Sequence, residues 1–150
     1  SNKTVNRFHS RIIFPINNLT NDPIAFGGRV ISGDKIAKYI NSPETEFYKK
    51  GKILFNLDRA RNFRVKTDEV IVVEGYMDVI SLYENNIKNV ISNSGTAFTE
   101  NQVELVWRFF SNPIISLDGD VSGQKAALRI AENTFPYISE NKNIYFTSLP

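Results

Sequence analysis

The 150-residue chain contains no cysteine and only one histidine, one methionine and one tryptophan. Without cysteine it holds no disulfide and no thiolate zinc site. The lone histidine, His9, has no neighbouring cluster of ligand-type side chains and is assigned no metal. No apolar run approaches the roughly 20 residues that a membrane-spanning helix needs. Internal repeats and low-complexity tracts are absent, and no glycine-rich loop has the usual phosphate-binding spacing. Gly27-Gly28, before Arg29, allows instead a β-bulge or a close approach of a ligand to the backbone. Acidic residues are scarce in the first part: residues 3–66 carry 13 Lys/Arg against 5 Asp/Glu, whereas residues 67–150 carry 5 against 11.

What remains is ordinary for a soluble globular protein, with 41% hydrophobic and 23% charged residues, and is long enough to bury a core. A basic part beside an acidic part suits a protein that grips a polyanion and also holds metal cations. Solvated surface charge segregated by chance is the plainer reading. The start at Ser1-Asn2 and the end at Leu149-Pro150, just after an apparent strand, lead us to expect a portion of something longer.

The most informative stretch is Val70-Ile-Val-Val-Glu-Gly-Tyr-Met-Asp-Val79. Its apolar β-branched run has no alternation, which predicts a strand buried on both faces, as in a parallel sheet covered by helices. The run stops at Glu74-Gly75, and Tyr76, Val79, Ile80 and Tyr83 then recur at helical spacing. Glu74 therefore belongs at the carboxyl edge of a strand, where open α/β sheets bind ligands. Burying it unpaired among valines would be costly, so it should face a cleft holding a cation or a phosphate. A helix cap or first-turn glutamate is the alternative.

Before this stretch, Arg11–Ile16 and Ile24–Ile31 read as the strands of an antiparallel hairpin, joined by the turn formers of Asn17–Pro23. Pro15 must then lie on an edge or at an irregularity. Ser42-Pro43-Glu44 is a helix-start signal, and Gly51 is the stop of the short helix it implies. Lys38, Lys49, Lys50 and Lys52 are interleaved there with Tyr39, Phe47 and Tyr48, as a nucleotide or single-stranded nucleic acid would require. Aromatic core with solvated lysines is the competing reading. Residues 55–66 look like a helix leading into a polar connector, with a boundary near Val65 to Asp68.

After it, strands 69–74, 89–92, 113–118 and 143–148 alternate with helices 76–86, 99–111 and 123–134, through connections that include Asn93–Thr96. This order predicts a parallel doubly wound sheet with right-handed crossovers. Met77, Leu82, Val106, Trp107, Phe109, Phe110 and Leu128 are expected in the core. Pro113–Leu117 again ends in acids, Asp118-Gly-Asp120. Residues two apart in extended chain project to one side, so these carboxylates can converge, with Asp78 one helical turn beyond Glu74. Hard divalent cations take a few such carboxylates plus phosphate and water. For both strand ends to share an ion the strands must be adjacent, which a 2-1-3-4 order provides.

Glu74-Gly75 at one strand end and Asp118-x-Asp120 at another resemble the Toprim signature of primases, type IA and type II topoisomerases, and some nucleases and recombination proteins. The wider pattern is similar to bacterial DNA primases of the DnaG type. Arg7–Ile16, Phe26–Ile31, Lys38–Thr45, Lys50-Gly51, Val73–Val79 and Asp118–Ala127 occur in that family's order, so the resemblance covers nearly all of residues 5–150. It implies an α/β fold: a Toprim-type, Rossmann-like parallel sheet over residues 67–150, incomplete at its C-terminus. A smaller basic α+β part with an antiparallel hairpin, residues 3–66 and incomplete at its start, precedes it.

The resemblance further implies a nucleotidyltransferase that makes short RNA primers on a single-stranded DNA template from ribonucleoside triphosphates during chromosomal replication. Glu74 takes the family's acid/base or metal-proximal role, and Asp78, Asp118 and Asp120 arrange Mg²⁺ or Mn²⁺. Arg29, Lys38 and Lys50 match positions that contact nucleotide phosphates, with Tyr39 and Asn41 in the same motif. Arg7 and Arg11 lie in the basic strand bordering the template, and His9 stands where the family often has arginine. The family's zinc ribbon, next acidic motif and helicase-binding end lie outside this sequence. The portion alone is therefore expected to prime poorly or not at all. In the full protein the partners are the replicative helicase and single-strand-binding protein, in the bacterial cytoplasm at the replication fork, with no membrane. A Toprim nuclease or topoisomerase, and a Toprim module that only binds DNA, are the alternatives.

Overall fold

The computed structural model describes residues 6–32, 36–94 and 97–149. Residues 3–5 of the basic part and Gly95-Thr96 of the Asn93–Thr96 connection lie outside these described residues. Strands β1 (Arg11–Asn17) and β2 (Pro23–Val30) form the expected antiparallel hairpin. Asn18 closes its turn, its side-chain oxygen accepting the backbone N–H groups of Thr20 and Asp22. Pro15 falls on β1, an edge strand, and the register shifts next to it between Ile16 and Asn17.

The bulge is thus not at Gly27-Gly28, and no ligand is needed to explain those glycines. A Cβ on Gly27 would lie 2.6 Å from the Tyr76 ring, and one on Gly28 would lie 2.7 Å from the Phe8 ring. Side chains of this chain fill the space.

A third strand, β3 (Tyr39–Asn41), pairs with β2 where the sequence suggested none, and the helix expected from Ser42 to Gly51 does not form. Pro43 biases Ser42 toward extended backbone. Ser42 accordingly continues the pairing, donating its N–H to the Phe26 carbonyl at 2.8 Å and accepting the Phe26 N–H on its hydroxyl at 3.0 Å. The Glu44 carboxylate accepts from the Lys50 N–H at 2.9 Å, and one 3-10 turn, Lys50–Lys52, follows. The capping chemistry was present but serves a loop. The next helix, α1 (Leu57–Ala60), is also shorter than expected, with a 3-10 turn at Arg61–Phe63.

The remainder follows the strand–helix alternation: β4 (Glu69–Val73), α2 (Tyr76–Glu84), β5 (Val90–Ser92), α3 (Glu100–Trp107), β6 (Asn112–Asp118), α4 (Val121–Thr134) and β7 (Tyr145–Leu149). All pairings here are parallel, in the order β5-β4-β6-β7. This is the 2-1-3-4 arrangement. One face of the sheet packs Val70, Val72, Ile91 and Ile115 against Val103 and Val106 of α3, Phe110 just after it and Ile130 of α4. The other packs Val73 and Val90 against Val79 of α2.

Leu54, Leu57 and Ala60 join the first of these clusters, so α1 is built onto the parallel sheet. Leu128 does not belong to the core and is 61% exposed. It lies two residues, about 200° of helix, from the buried Ile130 and so faces away from the sheet. Trp107 and Phe109 are only partly buried, and the Trp107 indole donates to the Asn143 carbonyl at 2.9 Å. Among the described residues no helix is long and apolar enough to cross a membrane.

The two sheets meet at Tyr76, the first residue of α2. Its ring leaves the parallel sheet's cores and joins Phe14, Ile16, Ala25 and Tyr48. It stacks on Phe14 with centroids 5.0 Å apart and meets Phe55 edge-on at 4.8 Å. Both geometries are favourable for aromatic pairs.

Candidate functional site

The acidic site follows from strand adjacency. β4 and β6 are hydrogen-bonded neighbours, Val72 pairing with Ile115, so both release the chain at the same carboxyl edge. Glu74 follows β4 directly, and its Oε1 accepts the backbone N–H of Asp118, the last residue of β6, at 3.2 Å. Glu74 precedes the N-cap of α2, Gly75, and is exposed, which sets aside the capping and first-turn alternatives for it.

Asp78 and Asp120 each have a structural duty through one carboxylate oxygen. Asp78 accepts the Gly75 N–H at 2.9 Å at the start of α2, and Asp120 caps α4 by accepting the Gly123 N–H at 2.7 Å. Gly123 was missed as a site residue, although the spacing Asp118-Gly-Asp-x-x-Gly123 was visible. A Cβ there would lie 2.0 Å from the Asp118 carbonyl oxygen, so α4 starts in direct backbone contact with the acidic turn.

A cleft of 740 Å³ is lined by Glu74, Asp78 and Asp118 together with Arg7, Lys38, Tyr39, Asn41 and Lys50. Asp120 lines an adjoining cavity of 280 Å³ with Glu74 and Asp118. A third, more apolar groove of 390 Å³ runs from Glu74, Asp78 and Asp118 along Ile71, Val73, Leu82 and Ile114.

Arg11 and Arg29 do not line the cleft. Arg11 donates to the carbonyls of Gly28 and Lys38 at 3.4 and 3.3 Å, tying β1 to β2 and to the residue before β3. The Arg29 guanidinium and the Lys38 ammonium both lie about 6 Å from the Tyr39 ring centroid, within cation–π reach. Lys50 sits on a loop held by α3: Gln102 donates to the Lys50 and Ile53 carbonyls at 3.0 and 2.8 Å, and Thr99 donates to the Gly51 carbonyl at 2.6 Å. Of the aromatics interleaved with the lysines, Tyr48 is core at 2% exposed, whereas Tyr39 and Phe47 are exposed.

Among the described residues no three carboxylates or imidazoles are grouped so as to enclose a metal by themselves. The donor set is nonetheless made of hard oxygens at one edge, with Glu74 hydrogen-bonded to the Asp118 backbone. Such a set fits a divalent cation that completes its shell with water and substrate phosphate.

A family model of the DNA primase catalytic core, N-terminal domain, matches residues 1–61, and a Toprim domain model matches residues 68–147. The chain belongs to the bacterial DNA primase family. It is 42% identical over 148 residues to the DNA primase of Pseudomonas aeruginosa, covering 99% of this chain and 22% of that protein. It therefore spans less than a quarter of this curated relative's length. The Escherichia coli primase catalytic core superposes with a TM-score of 0.90 at 38% identity, covering 96% of this chain and 46% of that one. A DnaG primase catalytic domain solved bound to single-stranded DNA matches with a TM-score of 0.89 at 38% identity, covering the same shares. The primase fold thus accounts for both sheets.

Proposed function

We propose that the protein of which this chain is a part synthesises short RNA primers on single-stranded DNA from ribonucleoside triphosphates, and that this chain supplies the cleft where nucleotides are joined. The observation that carries the reading is one 740 Å³ cleft lined both by the carboxylates Glu74, Asp78 and Asp118 and by Arg7, Lys38 and Lys50. The single-stranded DNA complex of a primase catalytic domain supports the template assignment. Residues 3–66 act as the basic part and 67–150 as the Toprim part.

Lys38 and Lys50 neutralise the triphosphate, and the exposed Tyr39 ring offers a stacking face for a base. Arg7, Arg11 and Arg29 keep the basic strands positive toward the template; the first two also bind strand carbonyls. His9, exposed on the preceding turn, makes a weaker contact there than an arginine would. Mg²⁺ or Mn²⁺, held by Glu74, Asp78, Asp118 and Asp120, would neutralise phosphate charge and align the in-line displacement. The primer 3′-hydroxyl attacks the α-phosphorus, pyrophosphate leaves, and Glu74 accepts the hydroxyl proton. Asp78 and Asp120 keep the starts of α2 and α4 fixed around that event. In the full protein the replicative helicase and single-strand-binding protein deliver the template, in the cytoplasm. The isolated chain is expected to prime weakly or not at all.

Glu74→Gln in the full-length protein tests this reading. Primer synthesis should fall about 100-fold or more, the lower range for losing a general acid or base. Single-stranded DNA binding should persist, because the basic part is untouched. Retained synthesis would leave a DNA-binding module without catalysis at this edge. Strand cleavage lost in place of synthesis would point to the nuclease or topoisomerase class.

A further inference from the structure

Gln102, in the first turn of α3, is fully buried. An amide this deep must have its donors and its acceptor engaged. Its Oε1 accepts the Thr99 N–H at 3.0 Å, and its own N–H donates to Thr99 Oγ1 at 3.2 Å, which together form the capping box of α3. The cap leaves the amide nitrogen and the hydroxyl proton free for other work. Gln102 Nε2 donates to the carbonyls of Lys50 and Ile53 at 3.0 and 2.8 Å, and the Thr99 hydroxyl donates to the Gly51 carbonyl between them at 2.6 Å.

The captured loop contributes little hold of its own. Its 3-10 turn, Lys50–Lys52, buries no residue and has no side-chain cap, and Glu44, which accepts the Lys50 N–H, is exposed. α3, by contrast, is set on the parallel sheet through Val103 and Val106. Ser92, the last residue of β5, pairs with Val73 next to Glu74, so the connection to α3 leaves from the acidic edge. The capping box therefore ties the backbone of Lys50 to the same edge that presents the carboxylates.

We propose that Thr99 and Gln102 are positioning residues that hold the Lys50 ammonium in place for the nucleotide phosphates, by fixing the carbonyls of its loop to the start of α3. Lys50 lines the cleft, whereas Thr99 and Gln102 do not, so both act through Lys50. Loosening their grip lets the ammonium drift relative to Glu74 and Asp118 while those carboxylates stay on their own strands. This inference rests on the primer-synthesis reading above.

The test uses Thr99→Val and Gln102→Glu, each alone and combined with Lys50→Ala, and Thr99→Ser as the conservative control. All are made in the full-length protein and assayed below their thermal midpoints, beside Glu74→Gln. Valine keeps the shape of threonine and removes the hydroxyl; glutamate keeps an acceptor for the Thr99 N–H but turns an oxygen on the loop carbonyls. Thr99→Val should raise the KM for nucleotide about threefold to tenfold, the worth of one hydrogen bond, with kcat within about twofold of the parent. Gln102→Glu should raise it at least as far, and Thr99→Ser should keep the parent KM. Added to Lys50→Ala, neither change should raise KM by more than about twofold again, because the effect runs through the ammonium. The inference is overturned if Thr99→Val keeps the parent KM, whether or not its thermal midpoint drops. It is equally overturned if Thr99→Ser raises KM as valine does, or if the increases multiply with that of Lys50→Ala; the Thr99 pair decides alone if Gln102→Glu does not fold. If Glu74→Gln still primes, the function reading fails; if Glu74→Gln is dead and Thr99→Val is normal, only the positioning role fails.

Discussion

In the parallel sheet, β4 lies between β5 and β6 with helices on both faces, and nearly every residue from Val70 to Val73 is buried. In the antiparallel sheet, β1 buries Phe14 and Ile16 but leaves Ile12 and Ile13 50% and 40% exposed, and β3 is only three residues long. The first sheet builds most of its core with the helices that cover it. The second completes its core with Tyr48 from a loop and with Tyr76 borrowed from α2. The proposed chemistry draws on both: the parallel sheet presents the carboxylates, the antiparallel one carries or adjoins Arg7, Arg11, Arg29 and Lys38, and Lys50 sits on a loop held by α3. Placing one against the other falls to the contacts of a few side chains.

The largest effect is expected where the acidic edge and its helix share backbone contact. Gly123→Ala puts a methyl group 2.0 Å from the Asp118 carbonyl, where only main chain could give way. It should cost about 3 kcal/mol or more and abolish primer synthesis, read by denaturant unfolding and a primer-extension assay. An unchanged midpoint would mean that α4 can start elsewhere without disturbing Asp118.

Gly27→Ala attacks the joint between the sheets and should be milder, about 1–3 kcal/mol, because the clash is with a side-chain ring. Hydrogen exchange should show the hairpin loosening while β4 and β6 stay protected. Equal loss of protection in both sheets would show that the antiparallel sheet is not the dependent partner.

The smallest effect belongs to the hairpin turn. The Asp22 carboxylate accepts from the Thr20 hydroxyl and, second in weight, from the Asn18 amide, and both hold its pKa below the usual aspartate value. A depressed folded-state pKa contributes stability fully above the unfolded value, about 4, and loses it as pH falls through the folded value. Asp22→Asn should therefore have a slightly lower melting midpoint at pH 7, with the gap closing as acid is added. A gap that persists in acid would assign the effect to turn geometry and not to charge.

The same division governs what could be read in advance. The uninterrupted run Val70–Val73 and the acid that ends it announced a doubly covered strand with a charge at its carboxyl edge, and β4 with Glu74 matched. The pair of such runs also implied the β5-β4-β6-β7 order, since only adjacent strands bring Glu74 and Asp118 together. The Ser42-Pro43-Glu44 signal misled because the same groups that cap a helix can bind a neighbouring strand and a loop, as they do with Phe26 and Lys50. That Asn41 also bonds the Tyr76 hydroxyl and the Ser94 carbonyl left no local mark, because those partners lie far along the chain.

The sequence by itself determined the parallel sheet, its strand order and the acidic edge, because continuous burial and the cost of isolating a charge leave few arrangements open. Only the tertiary structure decided that residues 42–49 would stay non-helical, that Tyr76 would serve the other sheet, and which basic groups reach the cleft. Those outcomes depend on which distant partner captures each polar group, and local composition carries no record of that competition.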